Sequence, residues 1–187
     1  TLISKMRENF IQTCVSSCVL CYVLGVGDRH LENILVTKDG KLVHIDFSYI
    51  LGADPKRIEV EMKITEDMLN MLGGTNSQVF YKFKQTCSEA YKRIRLRSSL
   101  WYILLTYLVF SIPTIDAYKY ENIDIKNHVI ERLVPGETDK EATMQIINIV
   151  ERSSQNNFKQ NFSDWTHTIG NKFRNLKNSL PIFSMDL

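Results

Sequence analysis

Proline and glycine are scarce, at 4 and 8 of 187 residues. That scarcity excludes a collagen-like repeat and a Pro/Gly-rich disordered chain. Cysteine is sparse too, with four residues at 14, 18, 21 and 87, which excludes a disulfide-stapled miniprotein. Cys14, Cys18 and Cys21 fall at i, i+4 and i+7 on one helix face and read as buried, reduced thiols. Zinc needs four convergent ligands, and Cys87 is the only distant partner, so the cysteines do not read as a zinc site. Neither sign of charge is in excess: Lys+Arg 23 against Asp+Glu 21 gives +2. So small a charge excludes a protein that coats nucleic acid on electrostatic grounds, and no nucleic-acid partner is expected. No secretory signal or transit peptide is visible.

Two stretches carry no Asp, Glu, Lys or Arg: Asn9 to Gly27, 19 residues, and Ser98 to Ile115, 18 residues. Each is long enough to span a bilayer. Both are interrupted by polar residues, Gln12, Thr13, Ser16 and Ser17 in the first and Ser99, Thr106 and Ser111 in the second. They read as buried core helices instead.

What is present is an ordinary globular composition, 44% hydrophobic and 24% charged in 21.7 kDa, enough for one domain with a sizeable core. The pattern predicts a helix over 7–24, broken by Gly25 and Gly27, then short strands over 33–37 and 41–45 around Lys38-Asp39-Gly40. An Asp-Gly pair between two β-rich runs is a hairpin signal. Residues 46–64 read as a long loop, and Thr65 as the N-cap of a helix to Leu72 stopped by Gly73-Gly74. A helix over 77–95 places Val79, Phe80, Phe83, Cys87, Ala90, Tyr91 and Ile94 on one stripe, and 98–111 is the apolar helix already noted. Thr138-Asp139-Lys140-Glu141 is a capping box opening a helix with Met144, Ile147 and Val150 inside. A last amphipathic helix spans roughly 155–178. The expected fold is a single, mainly α domain with a small β-hairpin (α+β).

The chemistry concentrates in Gly27-Asp28-Arg29-His30-Leu31-Glu32-Asn33 and His44-Ile45-Asp46-Phe47, on either side of the hairpin. The hairpin brings Asn33 and Asp46 together at the outer ends of paired strands. A carboxylate and an amide oxygen at one edge suit Mg²⁺, a hard ion that takes oxygen ligands. Asp28 and His30 are placed to take or relay the proton of a substrate hydroxyl. Metal on the phosphates and a base on the nucleophile is the division of labour of phosphoryl transfer.

Gly-Asp-Arg-His-x-x-Asn followed by His-Ile-Asp-Phe resembles the catalytic-loop and metal-binding signature of the phosphoinositide 3-/4-kinase superfamily. Residues 21–64 and Met71-Leu72-Gly73-Gly74-Thr75-Asn76-Ser77 are most similar to the class III phosphatidylinositol 3-kinase branch. About residues 10–112 match closely and the rest matches in helical layout. The resemblance implies the large C-terminal lobe of a protein-kinase-like fold over 1–187, with a catalytic loop at 25–33, a metal motif at 44–48 and an activation loop at 46–64. It implies Asp28 and His30 as base or proton relay and Arg29 as a brace of the loop. It implies Asn33 and Asp46 as ligands of Mg²⁺ (or Mn²⁺), with ATP as co-substrate. It also implies transfer of the γ-phosphate to the inositol ring of phosphatidylinositol at a membrane surface, by a cytoplasmic, peripherally membrane-associated enzyme.

Two departures stand out. The family's Asp-Phe-Gly is Asp46-Phe47-Ser48 here, and Ser lacks the freedom of Gly to visit φ > 0. The glycines form no phosphate loop, and Lys5 is the only lysine before the catalytic loop, so the small ATP-binding lobe is read as absent from this sequence. The isolated chain is therefore expected to need a small lobe, or a regulatory subunit, for activity. The alternative is a truncated pseudokinase lobe that binds a lipid or a partner. Within 54–63, Lys56, Arg57 and Lys63 balance Asp54, Glu59 and Glu61, three against three. A loop without excess positive charge suits an inositol headgroup carrying no extra phosphates. In the last helix Phe158, Phe162, Trp165, Ile169, Phe173 and Leu176 recur at spacings of three and four, interspersed with Lys159, Lys172, Arg174 and Lys177. An aromatic stripe among cations suits an anionic membrane interface as well as it suits packing against the lobe.

Overall fold

A computed structural model describes residues 2–53, 61–111 and 123–155. Six α-helices and one two-stranded sheet occur among them: α1 (Leu2–Leu24), β1 (Ile34–Val36), β2 (Leu42–His44), α2 (Glu66–Met71), α3 (Gln78–Arg95), α4 (Ser98–Ser111), α5 (Ile125–Leu133) and α6 (Asp139–Gln155). The described part is mainly helical with a small hairpin, as the pattern implies. Residues 54–60, with Lys56 and Arg57, and the 156–178 stretch, with Phe158, Phe162, Trp165 and Phe173, lie outside the described residues.

The long helix α1 is the centre of the packing. Its buried residues Phe10, Cys14, Cys18 and Tyr22 recur every four positions, with Val15, Val19 and Val23 alongside. This stripe meets α3, which buries Phe80, Phe83, Cys87 and Tyr91. On its other side α3 packs against α6. Burying each such large side chain contributes roughly 1.5–3 kcal/mol. All four cysteines are buried free thiols. A hydrogen bond with Cys14 and burial push the Cys18 thiol well up, and burial does the same for Cys87. They are core residues, inert as nucleophiles.

The hairpin is antiparallel, with Ile34 opposite His44, Leu35 opposite Val43 and Val36 opposite Leu42. Its turn closes through Gly40 N–H donating to Thr37 O at 2.9 Å, and Lys41 pairs with Asp39 at 2.7 Å. Two side chains of α1 hold it in place. Asn9 Nδ2 donates to Asp39 O at 2.8 Å, and Leu42 N–H donates to Thr13 Oγ1 at 2.9 Å. The position of the hairpin is thus set by α1 and not by its own two strands, which would be marginal alone.

The helix starts follow the sequence signals. Thr65 caps α2 through Met68 N–H, Ser77 caps α3 through Phe80 N–H, and Thr138 and Glu141 form the reciprocal box opening α6. Three expectations need correction. Helix α1 begins near Leu2, well before residue 7. In α6, Ala142, Ile146, Ile149 and Val150 face the core, whereas Met144 is exposed. Helix α4 is not a buried core helix: Leu105 is its one buried residue, and Tyr107 and Phe110 are 70% and 82% exposed. An apolar helix with no polar side shows no face preference from sequence, so periodicity could not orient it. No helix among the described residues is long and apolar enough to cross a membrane.

Helix α1 ends in a left-handed cap. Val26 N–H returns to Cys21 O at 2.9 Å and Gly25 N–H to Tyr22 O at 3.1 Å. Gly25 has φ +59°, and a Cβ there would stand 2.7 Å from Gly52 N and 2.7 Å from His128 Cε1. Gly74, at φ +83°, would meet nothing within 4 Å. Both Ala substitutions suffer the left-handed penalty of about 1–2 kcal/mol. Gly25→Ala should cost a further 1–3 kcal/mol or so from overpacking. Chemical denaturation of the two variants measures the difference, and equal midpoints would contradict it.

Candidate functional site

The site is built where α1 hands the chain to the hairpin. Residues 25–33 run from the α1 cap through Asp28 and His30 to a single 3₁₀ turn, Leu31–Asn33, which feeds β1. Residues 45–52 leave β2 and return beside them. Gly27 N–H donates to Tyr49 O at 2.9 Å, Leu51 N–H to Leu24 O at 2.7 Å and Gly52 N–H to Gly25 O at 2.9 Å. Ile45 N–H extends the hairpin pairing to Asn33 O at 2.9 Å. Both segments carrying the sequence-derived candidates are therefore joined backbone to backbone.

Asn33 lies opposite Ile45 in this extended register, one residue from Asp46. Its amide nitrogen donates to Asp28 O at 3.0 Å. The side chain is thereby oriented, and its oxygen is left for another partner. Asp28 O also accepts from His30 N–H at 3.0 Å, so one carbonyl ties three candidate residues together. The Asp28 and His30 side chains approach with Oδ2 and Nε2 3.8 Å apart, and His30 Nδ1 stands 3.9 Å from Glu32 Oε2. At 3.8 Å the contact is electrostatic and not yet a hydrogen bond.

Asp46 is exposed, and its Oδ1 accepts from both Ser48 N–H (2.9 Å) and Ser48 Oγ (2.6 Å). The Ser48 hydroxyl and amide hold its carboxyl below the usual range. Oδ2 remains for a cation. Ser48 does not occupy the positive-φ region that would favour Gly, whereas Asp46 does, at φ +65°. Among the described residues, the non-glycine positions with φ > 0 are Asp28, Asp46, Leu51 and Val134. Three of those four lie in the two joined segments. Unfavourable backbone held in place by surrounding bonds is a mark of functional loops.

Arg29 runs inward from the loop. With Ser17, Cys18, Cys21, Ile34, His44, Lys63 and Met68 it lines a narrow cavity of about 10 Å³. Burial and the Arg29 charge push His44 down to about 4, so it is neutral at physiological pH. Its ring lies 5.8 Å from that of Phe47. Lys63, counted in the sequence as a headgroup cation, is only 8% exposed and lines the same cavity. It is a core lysine, removed from the outer face of its loop. Met62 and Ile64 on either side are fully buried and anchor that end of the loop.

Two groups of residues escaped the sequence reading. Leu35, Val43 and Ile45 are exposed, and the register puts Leu35 and Val43 side by side on one hairpin face. Strands of Ile-Leu-Val and Leu-Val-His with no polar alternation carried the signal, because a strand apolar on both faces has something to meet on each. The second group is His128 and Arg132, whose place under the loop no local pattern announces. The two oxygens on offer suit a hard cation: one carboxylate oxygen of Asp46 and the amide oxygen of Asn33. Among the described residues, here or elsewhere, no group of three or more His, Cys, Asp or Glu converges to hold a metal ion, so the pair would share a cation with oxygens supplied from outside the chain.

The Ser48 bond yields a test of this geometry. Ser48→Ala removes the shorter of two donors to Asp46 Oδ1, so the Asp46 carboxyl should rise toward its ordinary value of 3.8. NMR titration of the Asp46 side chain reads this directly. An unchanged midpoint would show that the hydroxyl does not set the charge of Asp46.

Comparison with known proteins bears on the family of the chain. Residues 2–111 match the family model described as phosphatidylinositol 3- and 4-kinase. The chain is 46% identical over 93 residues to phosphatidylinositol 3-kinase VPS34 of Arabidopsis thaliana, covering 50% of this chain and 11% of that protein. It is 40% identical over 126 residues to phosphatidylinositol 3-kinase pik3 of Schizosaccharomyces pombe, covering 67% and 15%. It is 36% identical over 146 residues to phosphatidylinositol 3-kinase VPS34 of Saccharomyces cerevisiae, covering 78% and 16%. The chain thus spans about a tenth to a sixth of the length of these curated relatives. With the family model matching more than half of its residues, this chain belongs to the phosphatidylinositol 3- and 4-kinase family.

Proposed function

We propose that this chain is the large-lobe catalytic region of a phosphatidylinositol 3-kinase, transferring the γ-phosphate of ATP to a hydroxyl of the inositol ring. The observation that carries the reading is the convergence of Asp28, His30, Asn33 and Asp46 on two loops bonded to each other. The names of the relatives supply the substrate class.

In this reading Asp46 and Asn33 hold Mg²⁺, which neutralises phosphate charge when bound. Asp46 is an exposed carboxylate, and the Ser48 hydroxyl and amide hold its Oδ1 in place while lowering its pKa further. Asp28 accepts the proton of the attacking ring hydroxyl. His30, 3.8 Å away, stabilises or relays that proton. Arg29 braces the loop from behind through its place in the interior. The exposed face of Leu35, Val43 and Ile45 gives a flat apolar floor for a nucleotide base beside Asp46. Residues 46–64 meet the lipid headgroup. With Lys63 in the core and Glu61 paired to Arg152 at 2.8 Å, the charges that 54–63 keeps in its sequence are Lys56 and Arg57 against Asp54 and Glu59. That balance favours phosphatidylinositol over its phosphorylated forms. The enzyme would work as a peripheral protein at a cytoplasmic membrane surface, with the aromatic stripe at Phe158, Phe162, Trp165 and Phe173 as a contact. A non-catalytic lipid- or partner-binding lobe is the other reading. Its argument from Ser48 is weakened by the Ser48–Asp46 bond, which supports the carboxylate instead of displacing it.

The test uses the chain supplied with an ATP-binding lobe in cis or trans, Mg-ATP and phosphatidylinositol vesicles. Asp46→Ala should abolish transfer, since neutral Asn33 alone cannot offset phosphate charge. Asp28→Ala should lower kcat by about 100-fold or more with little change in nucleotide binding. Phosphatidylinositol should react faster than its bisphosphate at equal surface density. Wild-type turnover in both variants would refute the assignment, and equal rates on the two lipids would refute the headgroup argument.

A further inference from the structure

Helix α1 ends at Leu24, four positions before Asp28, and the three residues between include Gly25 and Gly27. A stretch so rich in glycine does not fix its own path. Helix termini leave their last carbonyls without partners inside the helix, and water usually serves them. Here protein groups serve them. Cys21 O and Tyr22 O take the local N–H groups of Val26 and Gly25, and Leu24 O takes Leu51 N–H. The remaining grip comes from α5, more than 100 positions away. His128 Nε2 lies 2.9 Å from Val23 O, and Arg132 Nη1 donates to Tyr22 O at 3.2 Å. The acceptor is a carbonyl, so His128 Nε2 carries the proton and donates. Burial pushes the pKa of the ring below its ordinary value.

The pair sits four residues apart on one face of α5, so both side chains reach the same turn of α1. Arg132 also lies over the Tyr22 ring, 4.9 Å from its centroid. Helix α5 is itself tied down, with Tyr91 Oη donating to Arg132 O at 2.8 Å and Arg95 Nε to Val134 O at 3.3 Å. The ring of His128 further abuts Gly25, whose added Cβ would stand 2.7 Å from Cε1. The start of the loop is therefore clamped between α5 on one side and Leu51-Gly52 on the other.

We propose that His128 and Arg132 are positioning residues for phosphoryl transfer: by gripping Val23 O and Tyr22 O they set the height of loop 25–33, and so the place of Asp28. Neither residue lies within the 2–111 stretch matched by the family model. The inference rests on the proposed kinase function. Positional errors near 1 Å can cost on the order of 100-fold in rate while leaving binding almost intact. A hold on the loop should accordingly appear in kcat and not in KM.

In the lipid-kinase assay of the whole chain with its ATP-binding lobe, His128→Leu should lower kcat about 10- to 100-fold. KM for Mg-ATP and for phosphatidylinositol should stay within about threefold. His128→Gln keeps an N–H donor and should restore most of the loss, and Arg132→Met should give a milder fall. Equal kcat in His128→Leu and His128→Gln, or a loss carried by KM, would overturn the proposal. Amide exchange on the chain alone provides a readout that does not need turnover. Peptides covering 24–30 should exchange faster in His128→Leu and Arg132→Met, with 80–91 unchanged. Unchanged protection at 24–30 overturns the clamp even if the kinase reading stands. Faster exchange there, beside a wild type that shows no Asp46-dependent transfer, overturns the kinase reading alone.

Discussion

The C-terminal cap of α1 is the constraint on which the site depends. This 23-residue helix, packed by its apolar stripe against α3, is the longest element among the described residues. Its last turn is where the loop bearing Asp28, the segment after Asp46 and helix α5 all attach through backbone carbonyls. The same helix holds the hairpin through Asn9 and Thr13. One rigid body thus references both candidate metal ligands and the candidate base. A hairpin of two three-residue strands could not do that by itself.

The local costs of this arrangement fall on candidate site residues. Asp28 and Asp46 adopt left-handed backbone, which Asp tolerates better than most side chains. The bonds that hold them there are short-range and specific: Asn33 to Asp28 O, and Ser48 to Asp46 Oδ1. Asp28 and Asp46 thus stand on two segments joined backbone to backbone, with Arg29 lining the interior cavity. In the proposed reading Asp46 would hold the cation and Asp28 would take the proton, the two tasks that transfer from a nucleotide to a hydroxyl demands.

Much of this was legible in the sequence. The hairpin, the caps at Thr65 and Thr138 and the pairing of the Asn33 and Asp46 ends follow from local rules: turn chemistry, side-chain capping and strand period. Failures occurred where tertiary contacts decide. Lys63 looked like a surface cation because charge is normally solvated, yet Met62 and Ile64 draw its segment into the core. Ser48 looked like a steric restriction, and only the structure shows it as a hydrogen-bond donor to Asp46. Helix α4 carries no polar side to orient it, so its exposed apolar face was unreadable. His128 sits on an unremarkable helix, and its link to Val23, 105 positions away, has no local signature.

The central claim is that the two joined loops form one cation and nucleotide site. Paramagnetic broadening by Mn²⁺ with ATP, read by NMR on the chain paired with its ATP-binding lobe, tests it most directly. The account predicts selective broadening of the Asn33 side-chain amide and the backbone amides of Asp28, Asp46 and Ser48, with α2 and α6 unaffected and the effect lost in Asp46→Ala. Broadening centred elsewhere, or persisting unchanged in Asp46→Ala, would contradict it.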